Sequence, residues 1–202
     1  MEVSLPANLV SPPASDAGRR PPAPGRLELV RTFLNSVDLE SREDDFSTPA
    51  SLADWLVERS LLPRDARLGP ADLEEAIEFR ETLRDVLESN AGHGDAEAAL
   101  RRLDAIAARI PLRVQLAGQP RLEPASKDDI HAAIGRLLGI AYQAAIEGTW
   151  RRLKVCRSDT CRWAFYDSSR NRSGTWCTMA ICGNRMKGRA FRRRRPARAT
   201  AG

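Results

Sequence analysis

The chain has 202 residues, of which 42% are hydrophobic and 29% charged, and its formal net charge is +5. This length suits one medium-sized domain and one small domain. No stretch approaches the roughly 18 consecutive apolar residues of a membrane-spanning helix, so the composition excludes a helical integral membrane protein and predicts a soluble one.

The N-terminal segment, residues 1–25, is rich in Pro, Ala, Ser and Gly and lacks apolar periodicity. Such a segment buries too little surface to offset the entropy of ordering it, which predicts a disordered leader. It also contains no apolar run followed by a small-residue cleavage site, so nothing in it indicates export.

Amphipathic helices dominate the region from 26 to 149. Apolar residues at helical spacing predict a first helix over residues 26–38. Four further helices are predicted from their start signals, which are Thr48 with Pro49, Pro70, Asp95, and a capping box over residues 126–129. The Arg and Glu pairs on the third helix are interpreted as ordinary surface charges.

Between the fourth and fifth helices, residues 112–116 and 121–123 alternate apolar and polar side chains around a Gly- and Pro-containing turn. This alternation predicts a two-stranded hairpin, which must pack on the helices because a lone hairpin is only marginally stable. The predicted fold class is therefore α+β, with a mostly helical N-terminal domain and a small β-hairpin.

Two polar residues of the first helix, Arg31 and Asn35, lie on a different face from its apolar residues. They are candidate ligand-binding residues. For Asn35 the alternative is that its side chain satisfies backbone groups at the end of the helix, where Asn is favoured.

All four cysteines lie close together, as the pairs Cys156/Cys161 and Cys177/Cys182, with 15 residues between the pairs. Two close pairs with such a spacer are typical of a structural zinc site, although four residues within each pair is the outer edge of the usual spacing. Disulfides and buried free thiols are weaker alternatives, and an iron–sulfur cluster is the main alternative metal group.

Four cysteine ligands leave no open position for water or substrate, so this zinc ion would be structural. Strand-forming residues Trp163, Phe165 and Trp176 flank a polar turn over residues 167–174, which predicts a hairpin between the two cysteine pairs. With a helix after Cys182, the arrangement is a treble-clef-like zinc finger with four cysteine ligands.

The segment Trp176-Cys177-x4-Cys182-Gly183-Asn184-Arg185, preceded by Phe-Tyr-Asp-Ser-Ser-Arg-Asn-Arg-Ser at 165–173, resembles the CGNR zinc finger. Residues 29–38 are similar to the opening of the ABATE domain, which commonly precedes that finger. The two resemblances cover most of residues 26–195. They imply a bacterial, stress-induced transcription regulator whose finger binds DNA.

The chain departs from the family pattern at two places. Gly174 and Thr175 stand where relatives often carry two arginines, which puts in doubt any phosphate contact made there. Ser36 follows Asn35 where threonine is more usual, and this change keeps a hydroxyl group.

Charge separates the two halves of the chain. Residues 150–195 contain 14 Lys and Arg against two acids, a net charge of +12, whereas residues 1–149 carry −8. A small domain with this charge attracts polyanions, of which nucleic acid is the commonest in a cytoplasm. The predicted phosphate contacts are Arg170, Arg172, Arg185, Lys187, Arg189, Arg192, Arg193, Arg194 and Arg195. The alternative is a solvated basic tail with weak, non-specific attraction.

Catalytic signatures are scarce, because the sequence has no glycine-rich phosphate loop, nucleophile elbow or paired-histidine metal motif. Its two histidines, His93 and His131, fit a turn and a helix surface better than an active site. The sequence therefore predicts that the chain is not an enzyme.

The predicted organisation is a leader (1–25), an ABATE-like helical domain (26–149), the zinc finger (150–195) and a disordered tail (196–202). The predicted function is a cytoplasmic, nucleoid-associated regulator that binds DNA, whose helical domain senses a small-molecule effector or forms a homodimer. The alternative is an adaptor whose finger binds RNA or an acidic protein surface. Aromatic residues near the cysteines favour DNA, because they are expected to fill the finger core rather than to stack on exposed bases.

Overall fold

The computed structural model describes residues 20–194, without the side chains of residues 190, 193 and 194. The helices are α1 (Leu27–Leu34), α2 (Pro49–Glu58), α3 (Pro70–Asn90), α4 (Ala96–Ala107), α5 (Ile130–Ile146) and α6 (Asn184–Arg194). Three antiparallel strand pairs join them: β1 (Val37–Asp38) with β2 (Glu43–Asp44), β3 (Leu112–Gln115) with β4 (Arg121–Pro124), and β5 (Leu153–Val155) with β6 (Ala164–Tyr166). The predicted α+β fold class is confirmed.

The main hydrophobic core lies between α1, α2, α3 and α5. Phe33 of α1 is at its centre, with its ring centroid 5.5 Å from that of Phe46, 5.8 Å from that of Trp55 and 5.7 Å from that of Phe79. These tilted and edge-on contacts are the geometry that aromatic rings prefer, so α1 is fixed against both α2 and α3.

Several predicted helix starts are confirmed. The Thr48 hydroxyl accepts a hydrogen bond from Ser51 N (3.1 Å) at the start of α2, and the Asp95 carboxylate accepts one from Ala98 N (3.0 Å) at the start of α4. For α5 the prediction was wrong in its cap, because Asp129, and not Ser126, accepts the hydrogen bond from Ala132 N (2.8 Å).

The first helix is shorter than predicted. It ends at Leu34 instead of 38, because Val37 and Asp38 leave it to pair with Asp44 and Glu43. The short β1–β2 hairpin that results has a loop over residues 39–42, which places Glu40 beside the finger.

Two arginines of α3 contradict the interpretation of this helix's charges as ordinary surface charges. Arg80 and Arg84 are 3% and 1% exposed. Arg80 binds both carboxylate oxygens of Asp44 at 2.7 Å and donates to the Ser36 hydroxyl at 2.9 Å. A buried guanidinium is tolerated only with such partners, and these partners come from distant parts of the chain.

The β3–β4 hairpin is confirmed and packs on α5. A Cβ atom at Gly139 of α5 would lie 2.7 Å from the Leu122 carbonyl oxygen, and one at Gly135 would lie 2.8 Å from Pro124 Cβ. The absence of a side chain at these two positions therefore lets the β4 backbone approach the helix directly.

Residues before α1 are also packed. Ala23 is 5% exposed, and the Arg20 guanidinium donates to Asp167 Oδ1 (3.2 Å) and to the Trp176 carbonyl oxygen (3.2 Å). The packed chain therefore begins earlier than the boundary predicted at residue 25. The rest of the predicted leader, and the predicted tail, lie outside the described residues.

The finger contributes a hairpin to the main core, but not the hairpin that the sequence predicts. β5 and β6 flank the first cysteine pair, with Leu153 opposite Tyr166 and Val155 opposite Ala164. The residues around Trp176 form no strand. Leu153, Val155 and Ala164 are fully buried in the main core, so the finger is joined to the helical domain by shared packing. In residues 20–194, no helix combines the length and apolarity needed to cross a membrane.

Candidate metal centre

The four cysteine sulfurs converge at one point, with all of their Sγ atoms within 4.8 Å of one another. Cys177 Sγ lies 3.7 Å from Cys161 Sγ and 3.6 Å from Cys182 Sγ. Four sulfurs at about 2.3 Å from one zinc ion are about 3.8 Å apart in a tetrahedron. The distances fit such a site.

A tight turn at the end of the β5–β6 hairpin presents the first pair. Cys156 N donates to the Trp163 carbonyl oxygen (2.9 Å), and Cys161 N donates to the Ser158 carbonyl oxygen (2.8 Å). The turn closes at Arg162, whose φ of +45° is in the left-handed region. Both thiols of this pair therefore point to the same side of the turn.

The second pair lies at the entry to α6. The Thr178 hydroxyl accepts a hydrogen bond from Ile181 N (3.2 Å) and so caps a short π-helical turn over Met179–Gly183, which leads directly into α6. Gly183 is closely packed, since a Cβ atom there would lie 3.2 Å from Trp176 Cδ1.

The electrostatics of the thiol cluster favour a cation. Hydrogen bonds with Cys156 raise the pKa of Cys161 and of Cys177, burial raises the pKa of Cys182, and the same hydrogen bonds lower the pKa of Cys156. Without a metal, one thiolate therefore suppresses the ionisation of the other thiols. A divalent ion reverses this effect, because it coordinates all four groups as thiolates.

A second, smaller core surrounds the sulfurs. Phe165 is buried, and Trp163 and Trp176 are half-buried against the cysteines. The expectation that the aromatic residues near the cysteines form the finger core is confirmed for these three, whereas Tyr166 packs against the main core.

Comparison with known families agrees with this geometry. The family model for the CGNR zinc finger matches residues 152–195, and the ABATE model, described as "Putative stress-induced transcription regulator", matches residues 16–148. The chain belongs to the ABATE family. No curated protein matches it. The resemblance to both families is confirmed, and Cys156, Cys161, Cys177 and Cys182 are the ligands of a structural zinc ion.

In this ABATE protein the finger is held to the helical domain by buried polar contacts. Arg84 donates to the carbonyl oxygens of Leu34 (2.6 Å) and Arg162 (2.9 Å). The Arg162 guanidinium in turn binds Asp85 (2.7 Å) and Glu88 (2.9 Å) of α3. The finger therefore has a fixed position on the helices.

The polar turn over residues 167–174, named here the basic loop, is organised by a carboxylate that sequence reasoning did not single out. Asp167 is 0% exposed and accepts hydrogen bonds from Ser169 Oγ (2.7 Å), Lys154 Nζ (2.9 Å) and Gly174 N (2.6 Å). Lys154 is 4% exposed and also donates to the Arg172 carbonyl oxygen. The sequence signal for this role was an aspartate immediately before a turn rich in Ser and Gly, because an Asp side chain can accept hydrogen bonds from the backbone of such a turn.

Asp167 also explains one of the departures from the family pattern. A Cβ atom at Gly174 would lie 2.7 Å from both carboxylate oxygens of Asp167. An arginine there would require the loop to move, so Gly174 is the residue that this carboxylate allows.

The predicted nucleic-acid contacts fall into three groups. Arg170 and Arg172 on the basic loop, and Lys187, Arg189 and Arg192 on α6, are exposed. Arg185 is half-buried, and its Nη2 atom lies 2.7 Å from Glu40 Oε1 of the β1–β2 loop. The side chains of Arg193 and Arg194, and the whole of Arg195, lie outside the described residues.

The predicted ligand-binding residues have partners inside the protein. Asn35 Nδ2 donates to the Ala164 carbonyl oxygen (2.9 Å), and Asn35 Oδ1 accepts from Ala164 N (2.8 Å). The side chain thus pairs with β6 as a neighbouring strand would. Arg31 binds Glu28, with a distance of 2.7 Å from Nε to Oε2. A ligand role for either residue stays a prediction.

Replacing Asn35 is expected to destabilise the protein. Asn35→Ala leaves one N–H and one C=O group of β6 without a partner, which costs about 1–3 kcal/mol in the free energy of unfolding measured with urea. The control is Arg101→Ala, which removes only the exposed ion pair with Glu97 on α4 and is expected to cost under about 1 kcal/mol. Equal stability of Asn35→Ala and the unmodified protein would contradict the structural role.

Proposed function

We propose that the chain is a transcription regulator that binds DNA through the basic loop and α6. The observation that carries this proposal is that the cations of the finger fall into two sets, one bound to groups of the protein itself and one exposed. Lys154, Arg152 and Arg162 are engaged with groups of the protein itself. Seven others are exposed and, within residues 20–194, have no carboxylate within ion-pair distance. Two of these are Arg151 and Arg157, and five belong to the basic loop and α6: Arg170, Arg172, Lys187, Arg189 and Arg192.

The rigid setting of these cations supports binding to a polyanion. The Lys154–Asp167 pair fixes the backbone of the basic loop, and the Arg152 guanidinium donates to the carbonyl oxygens of Asp167 (3.0 Å) and Ser169 (2.9 Å). Cations that are already positioned lose less entropy on binding than cations on a flexible tail. This favours a specific surface over the alternative of a solvated basic tail.

A salt titration tests the proposal. If five cations each neutralise one phosphate, the log of the affinity for duplex DNA is expected to fall against log salt with a slope of about −4.5. The measurement is a binding titration of the full chain against random duplex DNA at several salt concentrations, followed by sequencing of the retained DNA. An enriched motif would show sequence specificity.

Arg170→Ala is expected to weaken binding and to reduce the magnitude of the slope by about 0.9. Its control is Arg151→Ala, which removes an exposed arginine of the same finger that lies outside both the basic loop and α6. If the two variants lose affinity equally, or the slope is near zero, the assigned surface is wrong.

One observation favours the alternative of single-stranded RNA as the target. Phe191 on α6 is 64% exposed between Arg189 and Arg192, and an exposed aromatic ring among cations is a feature of proteins that stack on unpaired bases. Under this alternative, Phe191→Ala weakens binding to single-stranded RNA much more than binding to duplex DNA.

A second part of the proposal is that the helical domain binds a small effector. A wide cleft of about 1120 Å³ lies between the end of α2 and the β3–β4 hairpin. Its lining carries the cations Arg64, Arg113, Lys127 and Arg136 together with four carboxylates. A small polar or charged molecule suits such a lining better than an apolar one.

We also infer that the chain is not an enzyme and acts where thiols stay reduced, as in a cytoplasm. Four thiolates close the zinc coordination sphere. Both histidines have partners, since His93 Nδ1 lies 2.8 Å from the Glu88 carbonyl oxygen and His131 Nε2 lies 3.2 Å from Glu75 Oε2.

A further inference from the structure

Exposed apolar side chains are concentrated on one face of the helical domain. Eight large hydrophobic residues of the described chain are exposed. Four of these, named here the hairpin face, belong to the β3–β4 hairpin and to the last turns of α5: Val114, Leu116, Tyr142 and Ile146. They are 66%, 74%, 53% and 69% exposed, respectively.

The contribution of α5 to this face follows from helical spacing. Gly135, Gly139, Tyr142 and Ile146 are separated by four, three and four residues, so they lie in one stripe along the helix. The hairpin covers the first two positions, with Pro124 against Gly135 and Leu122 against Gly139. The stripe then continues, uncovered, through Tyr142 and Ile146.

The contribution of the hairpin follows from its register. Leu112 pairs with Pro124 and Val114 pairs with Leu122, so these four residues lie on the same side of the hairpin, facing α5. β4 runs along α5 from Gly139, beside Leu122, to Gly135, beside Pro124. The hairpin tip precedes β4, so the tip, with Val114 and Leu116, extends beyond Gly139 towards Tyr142 and Ile146. The four exposed residues therefore form one continuous surface.

We propose that the hairpin face is a homodimer interface, in which the occupant is the same face of a second copy of the chain. The four residues expose roughly 400–500 Å², and a patch of ~300–600 Å² is the largest that a typical monomer shows and is often functional. Two such faces together with their polar rims reach the ~1,200 Å² at which specific interfaces begin.

The charged residues near the face already have partners within the chain. Arg121 Nε lies 2.5 Å from Glu123 Oε1, and Glu147 Oε1 accepts a hydrogen bond from Gln143 Nε2 (2.8 Å). The apolar side chains therefore carry the contact, as they do at the centre of an interface between two copies of a chain. A polyanion would instead require free cations.

The outer edge of β3 also favours a second copy of the chain as the partner. Within residues 20–194, β3 pairs only with β4, so its other edge has unpaired backbone groups. Two such edges related by a twofold axis run antiparallel and can pair with each other. This pairing gives hydrogen-bond partners to the unpaired backbone groups of both strands. The interface does not depend on DNA binding.

Sedimentation equilibrium of the full chain without DNA tests the proposal. The unmodified protein is expected to be a dimer at micromolar concentration. The double variant Leu116→Lys/Ile146→Lys places a charge in each half of the face, and its dimer dissociation constant is expected to rise at least 100-fold. Both sites are more than two-thirds exposed, so folding is expected to be unaffected, with the far-UV circular dichroism spectrum as the check.

The control variant is Leu100→Lys, which adds a charge at an exposed leucine of α4, outside the face. It is expected to leave the dimer intact. A monomeric unmodified protein, or a dimer that the lysine variants do not weaken, would overturn the proposal.

Discussion

Removal of the zinc ion is expected to unfold the metal core and α6 while leaving α1 to α5 folded. A structural zinc site of four cysteines contributes on the order of 10 kcal/mol to the folding of its module. Among residues 20–194, the small core around the sulfurs contains the four cysteines and three aromatic residues, too few to hold the segment without the metal. The helices have a separate and much larger core.

Hydrogen exchange with and without a zinc chelator measures this difference along the chain. Amides of residues 175–194 are expected to lose their protection. Those of β5 and β6 are expected to keep part of theirs, because Leu153, Val155 and Ala164 remain packed against the helices. Re-addition of zinc should restore the protection. Uniform loss across the chain would show that the finger and helices form a single cooperative unit.

A ligand substitution gives the same test without a chelator. Cys182→Ser is expected to reproduce the exchange pattern of the metal-free protein, because a neutral hydroxyl is a poor zinc ligand. The matched substitution Ser168→Ala changes an exposed side chain of the same finger and is expected to leave the pattern unchanged. Normal protection of α6 in Cys182→Ser would contradict the assignment of this ligand.

The metal site was predictable from sequence because its geometry is local. Each cysteine pair lies within one turn, so the spacing in the sequence sets the spacing of the thiols in space. The position of the finger hairpin was not predictable in the same way. Trp163, Phe165 and Trp176 have similar strand propensities, and only packing against the helical core selects β5 as the partner of β6.

The buried charges were also beyond sequence reasoning. Arg80, Arg84, Lys154 and Asp167 are residue types that normally lie on the surface, and what allows their burial is a partner brought near by the tertiary fold. Beside its neighbour Glu81, Arg80 has partners 36 and 44 residues away, and the Leu34 carbonyl oxygen bound by Arg84 is 50 residues away. Helical periodicity contains no information about such pairs.

Asp167→Ala is expected to destabilise the finger more than any other single substitution outside the zinc ligands. It removes the acceptor for Ser169 and Gly174 and leaves the Lys154 ammonium group buried without its counter-ion. Breaking a buried ion pair in this way costs about 3–5 kcal/mol, which urea unfolding of the zinc-bound protein measures.

The double variant Lys154→Met/Asp167→Ala separates the cost of the unpaired Lys154 charge from the cost of the lost hydrogen bonds to Asp167. It removes the buried unpaired charge, so it is expected to be more stable than Asp167→Ala alone, although the backbone N–H groups of the basic loop still lack their acceptor. If Asp167→Ala costs under about 1 kcal/mol, the pair does not hold the loop. DNA affinity should fall with stability in the single variant, because Arg170 and Arg172 depend on the same loop.

The same carboxylate makes the finger acid-sensitive. Burial alone would raise the pKa of Asp167, but hydrogen bonds from Ser169, Lys154 and Gly174 outweigh it and hold the pKa well below its ordinary value. A depressed pKa in the folded state stabilises the protein above the unfolded-state value of about 3.9, and this stability is lost as pH falls below that value. Asp167→Asn is expected to remove this contribution already at pH 7, where the carboxylate is fully ionised. Urea unfolding of the zinc-bound protein at pH 7 measures the loss against Asp159→Asn, a substitution at an exposed acid of the same finger. The comparison is made at pH 7 because the cysteine ligands take up protons in acid and release the metal.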